Sequence, residues 1–358
     1  MDNSEVLTDK NHKWIYTYDY APDSLWEPWR EEVYPNGEGL DENGIPLWIG
    51  AEADAVAARV RGNAASAAPV FRASDGPDKN PSLLAFLLLA DSHYTVNGTW
   101  EDTVASMRAV AKRIPLSGII HLGDLTDGLL PAEKTRKIEK ECLSDMESFG
   151  LPVFLTPGNH DYNYFRGNPE IKYPGVPQYY IDLPEYGLRF FFIDSFDPKE
   201  PARYGFTDYC IHWLEAALKQ MPEDCRAVIF SHLTPLVRLQ VWTKEIRNRN
   251  KLMDVLNARA DRILAFFNGH NHCDQLFNEL NNGMFPLISV NCAKCECFTD
   301  HKPDGAKVPF RRLGDRIQES FDIIQINAEK EEIFLTRFGA GNDRAVRDHK
   351  AYFDGGIQ

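Results

Sequence analysis

The 358-residue chain carries 53 acidic and 39 basic side chains, a formal net charge of −14, and is 43% hydrophobic, 12% aromatic and 26% charged. That balance excludes intrinsic disorder, and a negative average surface disfavours nucleic-acid polymers and anionic membranes as non-specific partners. The length allows one large α/β core with an appendage, and no apolar run reaches the roughly 20 residues that span a bilayer.

Residues 1–80 differ in composition from the rest. Trp14, Tyr16, Tyr18, Tyr20, Trp26, Trp29, Tyr34 and Trp48 make the start aromatic, Ala51 to Ala68 reads as a helix, and Ser74 to Pro81 as a linker. Such a segment either narrows the mouth of a site or is a packing extension whose aromatics are buried. Met1 to Lys13 is polar and lacks the apolar stretch of a secretory signal, so a soluble cytoplasmic protein is expected unless a leader has already been removed.

From Ser82 onward, apolar runs alternate with amphipathic segments, the pattern of strands and helices in turn. Leu83–Ala90 reads as a buried strand, Trp100–Arg113 as a helix, Gly118–Leu122 as a strand, Ala132–Phe149 as a charged helix and Pro152–Thr156 as a short strand. Tyr179–Asp182 and Leu188–Asp194 form a candidate hairpin. A helix over Asp208–Gln220, strands at Ala227–Phe230 and Leu264–Phe267, and a last hairpin of Phe321–Ile326 with Ile333–Arg337 complete the series. The expected division is an accessory segment over 1–80, a catalytic domain over 81–345 and a tail over 346–358.

The seven cysteines are an odd count without disulfide-framework spacing. Cys292, Cys295 and Cys297 supply three ligands where a closed zinc site wants four, so reduced, buried thiols are the better reading.

Five short motifs sit just past predicted strand ends, where α/β sheets place their sites: Asp91-Ser92-His93, Gly123-Asp124, Gly158-Asn159-His160-Asp161, Ser231-His232 and Gly269-His270-Asn271-His272. Carboxylate oxygens and neutral imidazole nitrogens are ligands that first-row divalent ions accept, and one carboxylate can bridge two ions. Singly, each motif has a plain reading as a cap, turn or strand-end residue. Their order, types and positions together point to a two-metal hydrolytic centre.

These motifs resemble those of the calcineurin-like metallophosphoesterase superfamily, from Asp91 through His272. The resemblance implies a four-layer α/β/β/α sandwich of two mixed sheets with an N-terminal extension. By position it gives Asp91, His93, Asp124 and His272 to one divalent ion and Asp124, Asn159, His232 and His270 to the other, with Asp124 as the bridge. It also implies catalysis by in-line attack of a metal-bridging hydroxide, with His160 protonating the leaving oxygen or stabilising the phosphoryl group and Asp161 orienting the His160 ring. Manganese, iron and zinc all suit the ligands, and the pair of ions leaves a cationic hole in an acidic protein.

Gly123-Asp124-Leu125-Thr126-Asp127-Gly128 lacks the arginine of the Ser/Thr phosphatases, and Asp127 stands where purple acid phosphatases place a tyrosine. The set is most similar to bacterial phosphohydrolases of the cyclic-nucleotide phosphodiesterase type, a likeness shared by Ile193-Asp194-Ser195 and Ser231-His232-Leu233-Thr234-Pro235. The expected substrate is a small phosphodiester. A phosphomonoesterase and a non-catalytic metal-binding scaffold are the alternatives. Arg238, Lys244, Arg247, Arg249 and Lys251 read as a solvated helix face rather than phosphate ligands, and Asn97, Tyr162 and Tyr164 as loop or pocket-lining residues. Asp194 either supports the site or ends a strand.

Overall fold

The computed structural model describes residues 6–8, 13–15, 30–66, 84–94, 99–126, 132–162, 175–197, 203–239, 245–278, 284–294 and 305–354. Strands β1 (Val6–Thr8) and β2 (Lys13–Ile15) pair antiparallel. Helix α1 spans Trp48–Ser66.

Strand β3 (Leu84–Leu89) is buried along its whole length, which is why all six residues are apolar or small rather than alternating. Helix α2 (Trp100–Ala111) leads to β4 (Gly118–His121), and α3 (Ala132–Glu147) to β5 (Val153–Leu155). The three strands run parallel. On the other side of β3 the sheet turns antiparallel through β12 (Ser320–Asn327), β13 (Glu332–Gly339), β14 (Asp343–Arg347) and β15 (Lys350–Asp354), giving seven strands.

The second sheet has six strands in the order β10-β11-β9-β8-β7-β6. These are β6 (Tyr179–Leu183), β7 (Leu188–Ile193), β8 (Arg226–Ser231), β9 (Ile263–Asn268), β10 (Gln275–Phe277) and β11 (Leu287–Ser289). Strands β7, β8, β9 and β11 are parallel, with α4 (Asp208–Lys219) and α5 (Arg249–Asn257) between them in sequence and antiparallel strands at both edges.

Three apolar clusters define the layers. Phe86, Leu88, Ile120, Phe190, Phe192, Phe230, Phe267, Ile324 and Leu335 fill the space between the sheets. Phe191, Ile229 and Phe266 on the opposite face of the six-stranded sheet meet Leu214 of α4 and Leu252 of α5. Leu87, Ile119 and Ile323 on the outer face of the seven-stranded sheet meet Val56 and Val60 of α1, Met107 and Val110 of α2, and Met146 of α3. The architecture is thus α/β/β/α, two mixed sheets with helices outside.

Helix α1 is anchored by polar contacts as well: Asn63 Nδ2 donates to Thr336 Oγ1 at 3.0 Å, and Arg59 pairs with Asp343 at 3.0 Å. Within the aromatic start, Trp48 Nε1 donates to Tyr34 Oη at 3.1 Å. The side chains of Trp14, Tyr16, Tyr18, Tyr20, Trp26 and Trp29 lie outside the described residues.

The boundary drawn at residue 345 needs correction. Strands β14 and β15 continue the sheet to Asp354, across that boundary and through most of the expected tail. Both strands are short and begin and end on charged residues, Asp343 and Arg347 in β14 and Lys350 and Asp354 in β15, so neither stands out as an apolar run.

Candidate metal centre

The carboxyl ends of β3, β4, β5, β8 and β9 deliver, in turn, Asp91 and His93, Asp124, Asn159 and His160, His232, and His270 and His272. Backbone hydrogen bonds lock these loops to one another. Asp91 N donates to Gly123 O at 3.0 Å, His93 N to Asp124 O at 3.1 Å, and Gly269 N to His232 O at 3.0 Å. His270 N reaches both carboxylate oxygens of Asp91 at 3.0 Å, and His160 N donates to Asp124 Oδ1 at 2.8 Å.

The loops are also strained. Asp91, His93, Asp124, His270 and His272 have φ of 51°, 40°, 57°, 69° and 49°, in the left-handed region that non-glycine residues rarely occupy. Gly123 (φ 91°) and Gly158 let two of the turns come into contact: a Cβ on Gly123 would lie 2.5 Å from Gly158 N, and one on Gly158 2.1 Å from Asp124 Oδ1.

The side chains converge in overlapping groups, Asp91/His93/His272, His93/Asp124/His160 and Asp124/His232/His270, with donor atoms in each within 4.8 Å of one another. His93 Nε2 and His272 Nε2 are 3.0 Å apart. His232 Nε2 lies 3.2 Å from Asp124 Oδ2, 3.2 Å from Asn159 Oδ1 and 3.2 Å from His270 Nδ1. His160 is the more exposed member, with Nε2 at 3.8 Å from Asp124 Oδ2 and its ring edge-on to His93.

This donor set fits divalent ions. Leu122 O, 2.7 Å from His232 Nδ1, can only accept, so it fixes a proton there and leaves Nε2 as the atom that faces Asp124, Asn159 and His270. His232 Nε2, Asp124 Oδ2, Asn159 Oδ1 and His270 Nδ1 face one point, where a proton or a cation among them is favoured. Electrostatics makes the same demand. Burial, opposed in part by His232, pushes the Asp91 carboxyl well above the usual range. Burial would raise Asp124 too, but the His232 and His160 charges hold it well below. Burial would lower His232, yet Asp124 beside it raises the ring to about 9, whereas burial pushes His93 down to about 3. The cluster is short of positive charge, as a site for cations is.

Asp161 lies beneath two of these turns. It is fully buried, and its oxygens accept from the backbone N–H groups of Asp124 (2.9 Å), Leu125 (2.8 Å) and Gly158 (2.9 Å). It therefore clamps the Asp124 turn to the Asn159 turn. His121, at the end of β4, went unnoticed in the sequence although a histidine in an apolar strand is a signal. Gly123 N donates to its Nδ1 at 3.2 Å, so Nε2–H faces Ser92 Oγ at 2.6 Å, and burial drives its pKa down to about 3, which keeps the ring neutral.

Other residues singled out in the sequence fall around this centre. Tyr162 Oη donates to Asp194 Oδ2 at 2.6 Å, with the Asp194 carboxyl pushed up to about 7 by burial, so Asp194 supports Tyr162. The Tyr162 ring meets Phe196, Phe196 meets Tyr204, and Tyr204 meets His270 at 5.4 Å between centroids. Arg247 pairs with Asp197 at 2.8 Å, Lys251 with Asp208 at 2.7 Å, and Arg238 lies over the Phe277 ring. Cys142, Cys210, Cys225, Cys273 and Cys292 are buried free thiols. Asn97, Asp127, Tyr164, Lys244, Cys295 and Cys297 lie outside the described residues.

The family model for calcineurin-like phosphoesterases matches residues 84–274, the span that carries all five ligand loops. The chain belongs to the calcineurin-like phosphoesterase family. Among solved structures, the phosphoesterase is similar to a dimetal phosphatase from Danio rerio, with a TM-score of 0.54 and 15% identity over 74% of this chain and 99% of that one. A purple acid phosphatase from yellow lupin (Lupinus luteus) seeds aligns with a TM-score of 0.48 and 12% identity over 76% of this chain and 53% of that one. The first likeness shows the fold alone. No curated protein matches the chain. As a member of this family the phosphoesterase is a metal-dependent phosphoric ester hydrolase, and the family works with two divalent ions. Among the described residues no helix is long and apolar enough to cross a membrane.

Proposed function

We propose that the phosphoesterase hydrolyses a small phosphodiester at a dinuclear centre in which Asp91, His93, Asp124 and His272 hold one divalent ion and Asp124, Asn159, His232 and His270 the other. The observation that carries this reading is that Asp124 belongs to groups on both sides of the cluster, reaching His232 on one flank and standing with His93 on the other. Two ions bound there supply Lewis acidity toward the phosphoryl oxygens and a nucleophile available at neutral pH for in-line displacement.

The chain's own residues do the rest. Asp124 shares its carboxylate between the two halves, and Asp161 keeps that carboxylate in place by holding the backbone on either side of it. His160 sits at the open side of the cluster, where its Nε2 can give a proton to the departing ester oxygen. Its edge-on contact with His93 limits how far the ring can swing.

A diester is favoured over a monoester by charge and by kinship. Among the described residues of the segment between the His232 and His270 loops, Arg247 is engaged by Asp197 and Lys251 by Asp208, which leaves fewer cations there for a second negative charge. Ile193-Asp194-Ser195 and Ser231–Pro235 resemble the cyclic-nucleotide phosphodiesterase-type branch. The net charge of −14 supports a small substrate over a nucleic-acid polymer.

The test is metal analysis of protein purified without chelators, followed by turnover of bis-p-nitrophenyl phosphate and p-nitrophenyl phosphate with added Mn²⁺. The reading expects two ions per chain and faster turnover of the diester. Faster turnover of the monoester overturns the substrate class, and a single ion per chain overturns the dinuclear centre.

A further inference from the structure

Beside the metal centre lies a second cluster of buried charge that the proposed chemistry does not use. Asp274, two residues beyond His272, is buried, as are Asp322, Arg337 and Arg344. Asp274 Oδ1 accepts from Arg337 Nη2 at 2.6 Å and from Arg344 Nη1 at 2.7 Å. Asp322 Oδ1 accepts from Arg337 Nε at 2.9 Å, and Arg344 Nη2 donates to Asp322 Oδ2. The two guanidinium and two carboxylate charges cancel.

The quartet spans the two sheets. Asp322 belongs to β12 and stands opposite Leu88 of β3, just ahead of Asp91, and Arg337 faces it from β13. Arg344 comes from β14 and also donates to Ser289 O of β11 at 3.3 Å. Asp274 comes from the other sheet, on the loop between β9 and β10 that carries His270 and His272. His93 follows β3 of one sheet and His272 follows β9 of the other, and their Nε2 atoms approach to 3.0 Å.

Stability alone is a poor account of such a cluster, because replacing a buried ion pair by well-packed apolar side chains is often neutral or stabilising. What apolar contacts lack is direction. A guanidinium fork fixes a carboxylate in distance and angle, and a metal site tolerates errors of only a few tenths of an ångström. We propose that Asp274, Arg337, Arg344 and Asp322 are positioning residues that set the reach of His272 toward His93 and thereby the affinity for the ion those histidines share. The proposal rests on the metal-centre reading above.

The experiment is Mn²⁺ titration of the full chain by calorimetry, with electron paramagnetic resonance of the loaded protein and thermal melts of each variant. Asp274→Asn is expected to weaken one of two Mn²⁺ sites about 10–100-fold, with the spin-coupled signal giving way to a mononuclear one. Arg344→Lys keeps the charge but loses the fork, so it should weaken the same site less and serves if Asp274→Asn does not fold. Arg189→Met is the control: Arg189 is a buried arginine of β7 that bonds Asp182 and Ala217 O, and its loss should lower the melting temperature without touching Mn²⁺ affinity. If Arg344→Lys or Asp274→Asn melts lower yet binds two Mn²⁺ as tightly as wild type, the quartet is only a structural staple. If wild type itself binds fewer than two Mn²⁺, the metal-centre reading fails instead.

Discussion

Two clusters of buried carboxylates lie close together in this protein and solve the same problem in opposite ways. In one, Asp274 and Asp322 are matched by Arg337 and Arg344, and the two arginines hold the Asp322 carboxyl below the usual range against the effect of burial. In the other, Asp91, Asp124 and Asp161 face imidazoles and backbone amides, and Asp91 is driven well above that range by burial. The first cluster is electrically complete within the chain, while the second is complete only with added cations. Burying charge is therefore not what marks a functional site. The mark is a deficit that the chain leaves uncompensated at donor atoms aimed at one point.

Removing the shared carboxylate should sharpen this contrast most. Asp124→Asn is expected to lower turnover at least about 10³-fold, since the lost ion chemistry is worth several kcal/mol, and to lower metal content while the fold survives. Turnover assays paired with elemental analysis check it, and a variant that keeps both ions and its rate would remove the bridge from the account.

Arg337→Met should act on stability before metal is added. It leaves Asp274 and Asp322 with one guanidinium between them, and urea melts should show a loss of about 3–5 kcal/mol without Mn²⁺ and a larger one with it, because a weakened site adds less stabilisation. A loss under about 1 kcal/mol would mean that the quartet is far more solvated than its burial indicates.

A third acidic site gives the smallest effect and lies between the two extremes. Glu319 is fully buried and accepts from Thr103 Oγ1 at 2.7 Å and Gln318 Nε2 at 3.1 Å, and burial pushes its pKa up to about 7. Because the folded value lies above the unfolded one, the contribution to stability is fully present below about pH 4.5 and is lost as pH rises toward about 7. With about 1.4 kcal/mol per pH unit, the change is on the order of 3 kcal/mol. Glu319→Gln should flatten that part of the stability profile. An unchanged slope would assign it to another group.

Much of the centre was legible in the chain itself because its ligands follow strand ends, and buried parallel strands such as Leu84–Leu89 and Arg226–Ser231 are visible as apolar runs. The helices at Trp100–Ala111 and Asp208–Lys219 also follow from periodicity, beginning where expected and ending two residues and one residue earlier, with Thr207 capping the latter by accepting from Cys210 N at 3.0 Å. Reading failed where a charged residue is buried. Strand β14, with Arg344 buried in it, was not expected as a strand, and no local pattern pairs Arg344 with Asp274 and Asp322 across the fold. The three amides on two different turns that donate to Asp161 are likewise invisible in its sequence neighbours.

By itself the amino-acid sequence determined the kinds of donor, their order and their place after strands, because residue type sets ligand chemistry and apolar periodicity sets secondary structure. Only the tertiary structure decided which donors meet. Left-handed turns at Asp91, Asp124 and His272, the contact that Gly123 and Gly158 permit, and the docking of two sheets across the quartet are long-range outcomes of packing. A strained backbone angle or a buried arginine is sustained by its surroundings, which sequence neighbours do not encode.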